Sequence, residues 1–205
     1  MMTLYSGPTC PFSHMSRIVL NEKGCEFEIE SIDLESISDE MKAQFYSLSP
    51  YRELPVLAER DLVLYNVNVI NEYIDERFPH PQLMPTEPVA RARTRLFLQI
   101  FERDLLPFVR MLESRRTTEE QKALARRRIL SCLQVLSLRI GATKFIFGDD
   151  FQMVDAVLAP ILWRLPHYGI ELPPETERLM TYGERLFSRQ SFIDSMTAQE
   201  RSMRR

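Results

Sequence analysis

Short apolar runs alternate with helix-spaced apolar positions over the first part of the chain. Residues 3–5 predict a strand, and so do residues 27–32, where apolar and polar side chains partly alternate. A helix is predicted between these strands, because Pro11 suits the first helical position and Gly24 suits the position just after a helix. A short second helix is expected to begin at Ser36.

The next stretch predicts a rigid turn and a β-hairpin. Pro55 ends a polar loop and opens an apolar run, and Leu54-Pro55 is our candidate for a cis peptide, since only X-Pro bonds adopt cis at modest cost. Residues 56–59 and 62–65 read as two strands joined by a tight turn. The hairpin therefore starts directly at the proline.

A third helix closes this half of the chain. Its apolar positions follow helical spacing, Asn66 or Asn68 is its cap, and Pro79 stops it. The order of elements is then β-α-β-α-β-β-α, which is the order of a thioredoxin-like domain spanning residues 1–80.

The second half of the chain predicts helices and no convincing strand. The proline-rich segment 81–87 is expected to be a linker, and residues 88–205 an all-helical domain. One apolar stripe between residues 97 and 112 predicts a helix kinked at Pro107. Residues 154–165 are apolar on nearly every side, which is typical of a helix buried in a bundle. Two capping boxes are predicted, Thr117 with Glu120 and Thr197 with Glu200.

Composition and charge narrow the classes of protein. The 205 residues carry a net charge of -3, which argues against a nucleic-acid backbone as the main partner. Three cysteines without paired spacing suit a reducing compartment. The N-terminus shows no signal peptide, and no apolar run approaches the roughly 20 residues of a membrane span. We therefore expect a cytoplasmic protein that does not enter membranes.

Cys10 is the residue best placed for chemistry. It stands just before the helix that begins at Pro11, where unpaired N–H groups and the helix dipole lower a thiol pKa. Ser13 takes the second place of a Cys-x-x-Cys pair, so any chemistry would be one-thiol transfer. On these residues alone a catalytic and an unused Cys10 are equally well supported, because the location lowers the pKa in either case.

A thioredoxin-like domain followed by an all-helical one resembles the glutathione transferase fold, over essentially the whole chain. The resemblance rests on Cys10-Pro11-Phe12-Ser13, on Leu54-Pro55-Val56-Leu57, and on Gly148-Asp149-Asp150 with Asp155-Ala156. Within that superfamily, residues 56–62, 72–81, 83–85 and 159–165 are similar to the stringent starvation protein A family, whose bacterial members associate with RNA polymerase. Asp155 would cap the buried helix, although Gln152 replaces the serine or threonine of the wider superfamily.

The resemblance also implies where glutathione would bind. Transferases of the superfamily hold it with an acidic residue and a serine at the start of the helix after the hairpin, where this chain has Asn66 and Val67. Each lost charge-assisted contact costs roughly 1.5 to 3 kcal/mol. We therefore predict no cofactor, no catalytic residue, and a vestigial glutathione site formed by Cys10, Leu54, Pro55, Asn66 and Val67.

For function, the resemblance implies a non-catalytic transcription regulator of the starvation or acid stress response. It would act as a homodimer and bind RNA polymerase and its primary sigma factor through Phe78, Pro79, His80 and Pro81. Without the resemblance, an interdomain linker is the better interpretation of this proline-rich segment. The alternative function is a glutathione-dependent thiol transferase or dehydroascorbate-type reductase that uses Cys10.

Other candidate sites are weaker. His14, His80 and His167 have no spacing that would bring metal ligands together, so no metal site is predicted. Arginines 91, 93 and 95 and the run 126–128 are interpreted as solvated helix faces balanced by nearby acidic residues. We therefore expect no direct sequence-specific binding of DNA.

Overall fold

A computed structural model describes residues 2–141 and 143–204. Packing divides the chain into two units. The first contains the residues up to Gln82 together with Gln190–Ser202, and the second contains Leu83–Arg189 and the residues from Met203 on. The segment Gln190–Ser202 therefore packs with the first unit, although the sequence pattern groups it with the helical domain.

The first unit is built on a four-stranded sheet. Its strands are β1 (Met2–Ser6), β2 (Glu28–Ser31), β3 (Val56–Glu59) and β4 (Leu62–Tyr65), in the order β2-β1-β3-β4. Strand β1 is parallel to β2 and antiparallel to β3, while β3 and β4 form the predicted hairpin. The helices of this part are α1 (Pro11–Lys23), α2 (Asp39–Leu48) and α3 (Val67–Arg77).

The two central strands and two of the helices supply the core of the first unit. Leu4 on β1 and Val56 on β3 are fully buried. Helix α1 buries Met15 and Val19, and α3 buries Ile70. Burying each such side chain contributes about 1.5–3 kcal/mol, so the apolar face of α1 against the sheet and α3 is a main source of stability.

Backbone details of this unit confirm one prediction and correct another. The Leu54–Pro55 peptide is cis, as predicted, and a second cis bond joins His80 to Pro81. Helix α2 begins after Ser38, whose hydroxyl accepts the Met41 N–H at 3.2 Å. Ser36 was the wrong start, because it belongs to the preceding turn and its N–H is donated to the carbonyl of Asp33.

The second unit is helical. Its helices are α4 (Pro88–Asp104), α5 (Leu106–Glu113), α6 (Glu119–Ser137), α7 (Met153–Trp163) and α8 (Glu177–Phe187), with a 3-10 turn at Pro174–Thr176. Every residue of α7 from Met153 to Leu162 is buried, as the sequence predicts. The predicted kink is a break between α4 and α5 at Leu105, and Pro107 lies in the first turn of α5, where a missing N–H costs no hydrogen bond.

The two predicted capping boxes have different outcomes. Helix α6 is capped by Thr118 with Gln121, one residue after the predicted pair, because Thr118 Oγ1 accepts the Gln121 N–H at 3.3 Å. The first unit also contains α9 (Gln190–Ser195) and α10 (Ala198–Arg201), and a 3-10 turn follows α10 at Ser202–Arg204. The box of Thr197 with Glu200 at α10 is confirmed.

Within the described part of the chain, no helix is both long and apolar enough to cross a membrane.

Asp155 is a buried carboxyl in the first turn of α7. Its oxygens accept the N–H of Gln152 at 2.7 Å and the hydroxyl of Tyr182 at 2.6 Å, so it caps the helix as predicted. Burial raises the pKa of Asp155 to about 6, although these hydrogen bonds act to lower it. The folded second unit therefore binds a proton at Asp155 more tightly than the unfolded chain does.

Asp155 should make the fold more stable in mild acid. The folded pKa lies above the unfolded value of 3.8, so its stabilising contribution is fully present below pH 3.8 and is lost as pH rises through about 6. Relative to Asp155→Asn, the free energy of unfolding of the wild type should increase by about 1 kcal/mol between pH 7.5 and pH 5.

Urea unfolding of both proteins across this pH range measures that difference. Asp150→Asn makes the same chemical change at an exposed position and serves as the control. A difference between wild type and Asp155→Asn that stays constant with pH would contradict the buried, proton-binding carboxyl.

Candidate functional site

Cys10 caps the N-terminus of α1, with Pro11 as the first helical residue. Its sulfur accepts the N–H of Ser13 at 3.5 Å and lies 3.9 Å from the carbonyl oxygen of Leu54. A Cβ at Gly7 would stand 2.7 Å from the Cβ of Cys10, so glycine is required for this approach. The structure thus brings the Cys10 thiol close to the Leu54 carbonyl, two of the residues named for the predicted site.

A buried polar network fixes the loop before Cys10. Its centre is Arg17, whose guanidinium donates to both carboxylate oxygens of Glu200 at 2.6 Å. Arg17 also donates to Ser6 Oγ, Gly7 O and Ser195 O. Thr197 donates its hydroxyl to the carbonyl of Pro8 at 2.6 Å. The sequence pattern gives no sign of this network, because it joins residues 6–17 to residues 195–200 near the other end of the sequence.

The same network contains a serine, a histidine and a carboxylate. His14 Nε2 lies 2.9 Å from Ser195 Oγ, and His14 Nδ1 lies 3.8 Å from Glu200. All three residues are at most 3% exposed, and Glu200 is already paired with Arg17. We therefore assign these residues to the stability of the first unit, since a substrate could not reach the hydroxyl.

At the start of α3, Asn66 and Val67 stand where the resemblance predicts an acidic side chain and a serine that bind glutathione, and neither residue supplies those groups. Asn66 Oδ1 accepts the N–H groups of Asn68 at 2.9 Å and Val69 at 3.4 Å, so its side chain caps the helix. Its φ of 79° is a left-handed conformation that asparagine tolerates. Val67 is 4% exposed and belongs to the core. The residues present do not fit the charged head of the tripeptide.

Phe78, Pro79, His80 and Pro81, called here the proline-histidine surface, follow the last turn of α3. Phe78 closes the helix by donating its N–H to Ile74 O, and its half-buried ring lies 5.4 Å from the Arg77 guanidinium. Pro79, His80 and Pro81 are exposed. The surface is continuous along the chain and available to a partner.

Two residues next to this surface carry no sequence signal. Lys23 in the last turn of α1 and Asp75 on α3 form an ion pair of 2.5 Å inside the first unit. Lys23 also donates to the carbonyl of Pro81. Sequence reasoning misses this contact, because a lysine near a helix C-terminus is ordinarily exposed.

The remaining candidates are the possible metal ligands and the other two cysteines. No three His, Cys, Asp or Glu side chains within residues 2–141 and 143–204 could hold a metal ion. Burial raises the pKa of the Cys25 and Cys132 thiols, which is the opposite of what a reactive cysteine needs.

Family models for known proteins match both halves of the chain. Residues 9–77 match the glutathione S-transferase N-terminal domain and residues 90–182 the C-terminal domain. The chain is 42% identical over 205 residues to the stringent starvation protein A homolog of Coxiella burnetii, which covers all of this chain and 95% of that protein. The chain belongs to the stringent starvation protein A family. This family assignment rests on full-length similarity.

Other relatives of the chain carry the name glutathione transferase. The chain is 30% identical over 175 residues to glutathione S-transferase omega-2 of Mus musculus, covering 83% of this chain and 68% of that one. A crystal structure of a glutathione transferase from Methylococcus capsulatus matches with a TM-score of 0.86 and 27% identity, covering 96% and 97% of the two chains. Some relatives are therefore glutathione transferases by name.

Restoring two side chains should restore glutathione binding. Asn66→Asp keeps the helix cap and adds the missing charge, and Val67→Ser adds the missing hydroxyl. We expect the wild type to show no measurable heat with millimolar glutathione and the double variant to bind at least tenfold more tightly. Isothermal titration calorimetry measures both.

The control is Asn68→Asp, which adds a carboxylate one residue beyond the pair. Wild-type binding equal to that of the double variant would contradict the assignment of Asn66 and Val67 as lost contacts.

Proposed function

We propose that this protein is a non-catalytic regulator of transcription that binds RNA polymerase and its primary sigma factor in the cytoplasm, and alters promoter choice under starvation or acid stress. The observation that carries the proposal is the combination of two features in the first unit. The start of α3 lacks the groups that bind glutathione, and the end of the same helix presents an exposed, backbone-fixed proline-histidine surface.

The first argument for a non-catalytic function is the loss of contacts that would bind glutathione. Asn66 uses its side-chain oxygen to cap α3, and Val67 fills the core. A thiol at a helix N-terminus needs a bound co-substrate to do transferase chemistry, and this site has lost two contacts to it. The protein can therefore keep the transferase fold without catalysing a transferase reaction, because function depends on the site and not on the fold.

The proline-histidine surface supports protein binding. Prolines at 79 and 81 restrict the backbone before a partner arrives, so little conformational entropy is lost on docking. His80 offers two ring nitrogens as donor or acceptor, and Phe78 with Arg77 adds an aromatic and a cation of the kind enriched at interfaces. Sigma factor and polymerase are the partners we propose for it.

An apolar stripe on α4 supports a homodimer. Val89, Leu96 and Ile100 share one helix face and are 56%, 62% and 38% exposed. A row of exposed aliphatic side chains is typical of a protein–protein contact. We propose that a second copy of the chain covers this stripe.

A second candidate function is a glutathione-dependent thiol transferase or dehydroascorbate-type reductase. It is favoured by Cys10, whose sulfur accepts an N–H at a helix N-terminus, and by the similarity to omega-2 transferases. Retention on glutathione-agarose that Cys10→Ser changes, together with turnover of a mixed disulfide, would favour this enzyme over the regulator.

Replacing Pro79, His80 and Pro81 together by alanine should leave folding intact and abolish promoter activation. The reason is that the substitution removes exposed side chains and no core contact. Thermal unfolding checks the fold, while pull-down of polymerase and transcription of a responsive promoter check the function.

Pro174→Ala, an exposed proline of the second unit, is the control for this variant. Unchanged activation by the triple variant would count against the surface.

Leu96→Glu should convert the homodimer into a monomer. A buried carboxylate without a partner costs several kcal/mol at an interface, far more than the helix itself loses. Light scattering after size-exclusion chromatography gives the mass, and Gln99→Glu, which adds a charge beside the stripe, is the control. A variant that remains a dimer would place the interface elsewhere.

A further inference from the structure

Lys23 is an unusual lysine, because its side chain is wholly inside the first unit. The side chain is 0% exposed and that of Asp75 is 4% exposed, with 2.5 Å between Nζ and Oδ1. A lysine at a helix end ordinarily extends its charge into water. Keeping this one buried requires a carboxylate partner, which Asp75 on α3 provides.

The same ammonium reaches the proline-histidine surface. Lys23 Nζ donates to the carbonyl oxygen of Pro81, the last residue of that surface. An ammonium has three donors and can satisfy a carboxylate and a carbonyl at once. Asp75 lies three residues before Phe78, the first residue of the surface. The Lys23 ammonium therefore contacts the chain just before the surface, at Asp75, and at its last residue, Pro81.

Holding α1 against α3 does not require this ion pair. Apolar side chains of both helices pack in the core, and Ser16 on α1 donates to Asn71 on α3 at 2.8 Å. Well-packed apolar side chains often replace a buried ion pair without loss of stability. An apolar pair could not, however, donate to the Pro81 carbonyl.

We propose that Lys23 and Asp75 are positioning residues of the proline-histidine surface: the buried pair fixes the carbonyl of Pro81 and thereby the backbone that presents His80. Lys23 donates to Pro81 while Asp75 neutralises and orients the ammonium. The partner gains affinity because the surface is already ordered when it docks. This inference rests on the proposed function. It attributes the ordered backbone of that surface to two buried residues that a docking partner would not contact.

The test removes the contact without leaving a buried charge. Lys23→Met alone would remove the ammonium that pairs with the buried Asp75 carboxylate and would destabilise the fold, so the main variant is Lys23→Met with Asp75→Val. We expect this double variant to unfold within a few degrees of the wild type, to shift or broaden the NMR signals of the His80 ring and the Gln82 amide, and to bind polymerase holoenzyme about tenfold more weakly.

Ser16→Ala is the matched control, because it breaks another buried polar contact between α1 and α3, the hydrogen bond to Asn71, which lies seven residues before Phe78. It should lower the thermal midpoint and leave the His80 and Gln82 signals and the affinity unchanged. A general effect of destabilisation would instead appear in both variants, which would overturn the proposal.

The remaining outcomes separate the inference from the proposed function. Wild-type affinity and unchanged His80 and Gln82 signals in the double variant would overturn the inference and leave polymerase binding intact. Absence of polymerase binding by the wild type would overturn the proposed function, and altered His80 and Gln82 signals in the double variant alone would still support the positioning role.

Discussion

Two cations on helix α1 are buried against carboxylates from elsewhere in the chain, and each charge depends on its partner to remain buried. Arg17 pairs with Glu200 and Lys23 pairs with Asp75, all within the interior. Removing one member of such a pair leaves an uncompensated buried charge and costs roughly 3–5 kcal/mol, a large share of the stability of a small domain. Helix α1 is therefore paired with buried carboxylates at its middle residue and in its last turn, in addition to its apolar packing.

The two ends of α1 serve different sites. The Arg17 network holds the loop that leads to Cys10, through Ser6 and Gly7. At the other end, Lys23 contacts Pro81. A thioredoxin-like scaffold that holds a thiol loop rigidly can hold a docking surface rigidly by the same means. The non-catalytic function that we propose is compatible with a transferase fold, since architecture and site are separate properties of a chain.

The second unit has a different kind of internal constraint. Helix α7 is buried from Met153 to Leu162 and carries in its first turn the carboxyl of Asp155, which accepts hydrogen bonds from Tyr182 on α8 and from the amide of Gln152. This carboxyl links the start of α7 to α8, in addition to the apolar packing of the helix. Exposed aliphatic side chains on α4 lie outside that core, which is why we associate them with a second copy of the chain.

Local chemistry in the sequence determined the elements of this protein: the period-two hairpin at 56–65, the proline and glycine limits of α1, the cis Leu54–Pro55 bond, and the apolar helix near 154–165. Such features depend on neighbouring residues, so periodicity and turn chemistry reveal them, with helix starts uncertain by one or two residues, as at Ser38 and Thr118. Motifs also identified the family.

Only the tertiary structure decided that residues 190–202 pack with the first unit and that Lys23 and Arg17 are buried beside Asp75 and Glu200. Those pairings join residues 52 and 183 positions apart, and no local pattern records them because a charged side chain has the same sequence signature whether water or a distant carboxylate satisfies it.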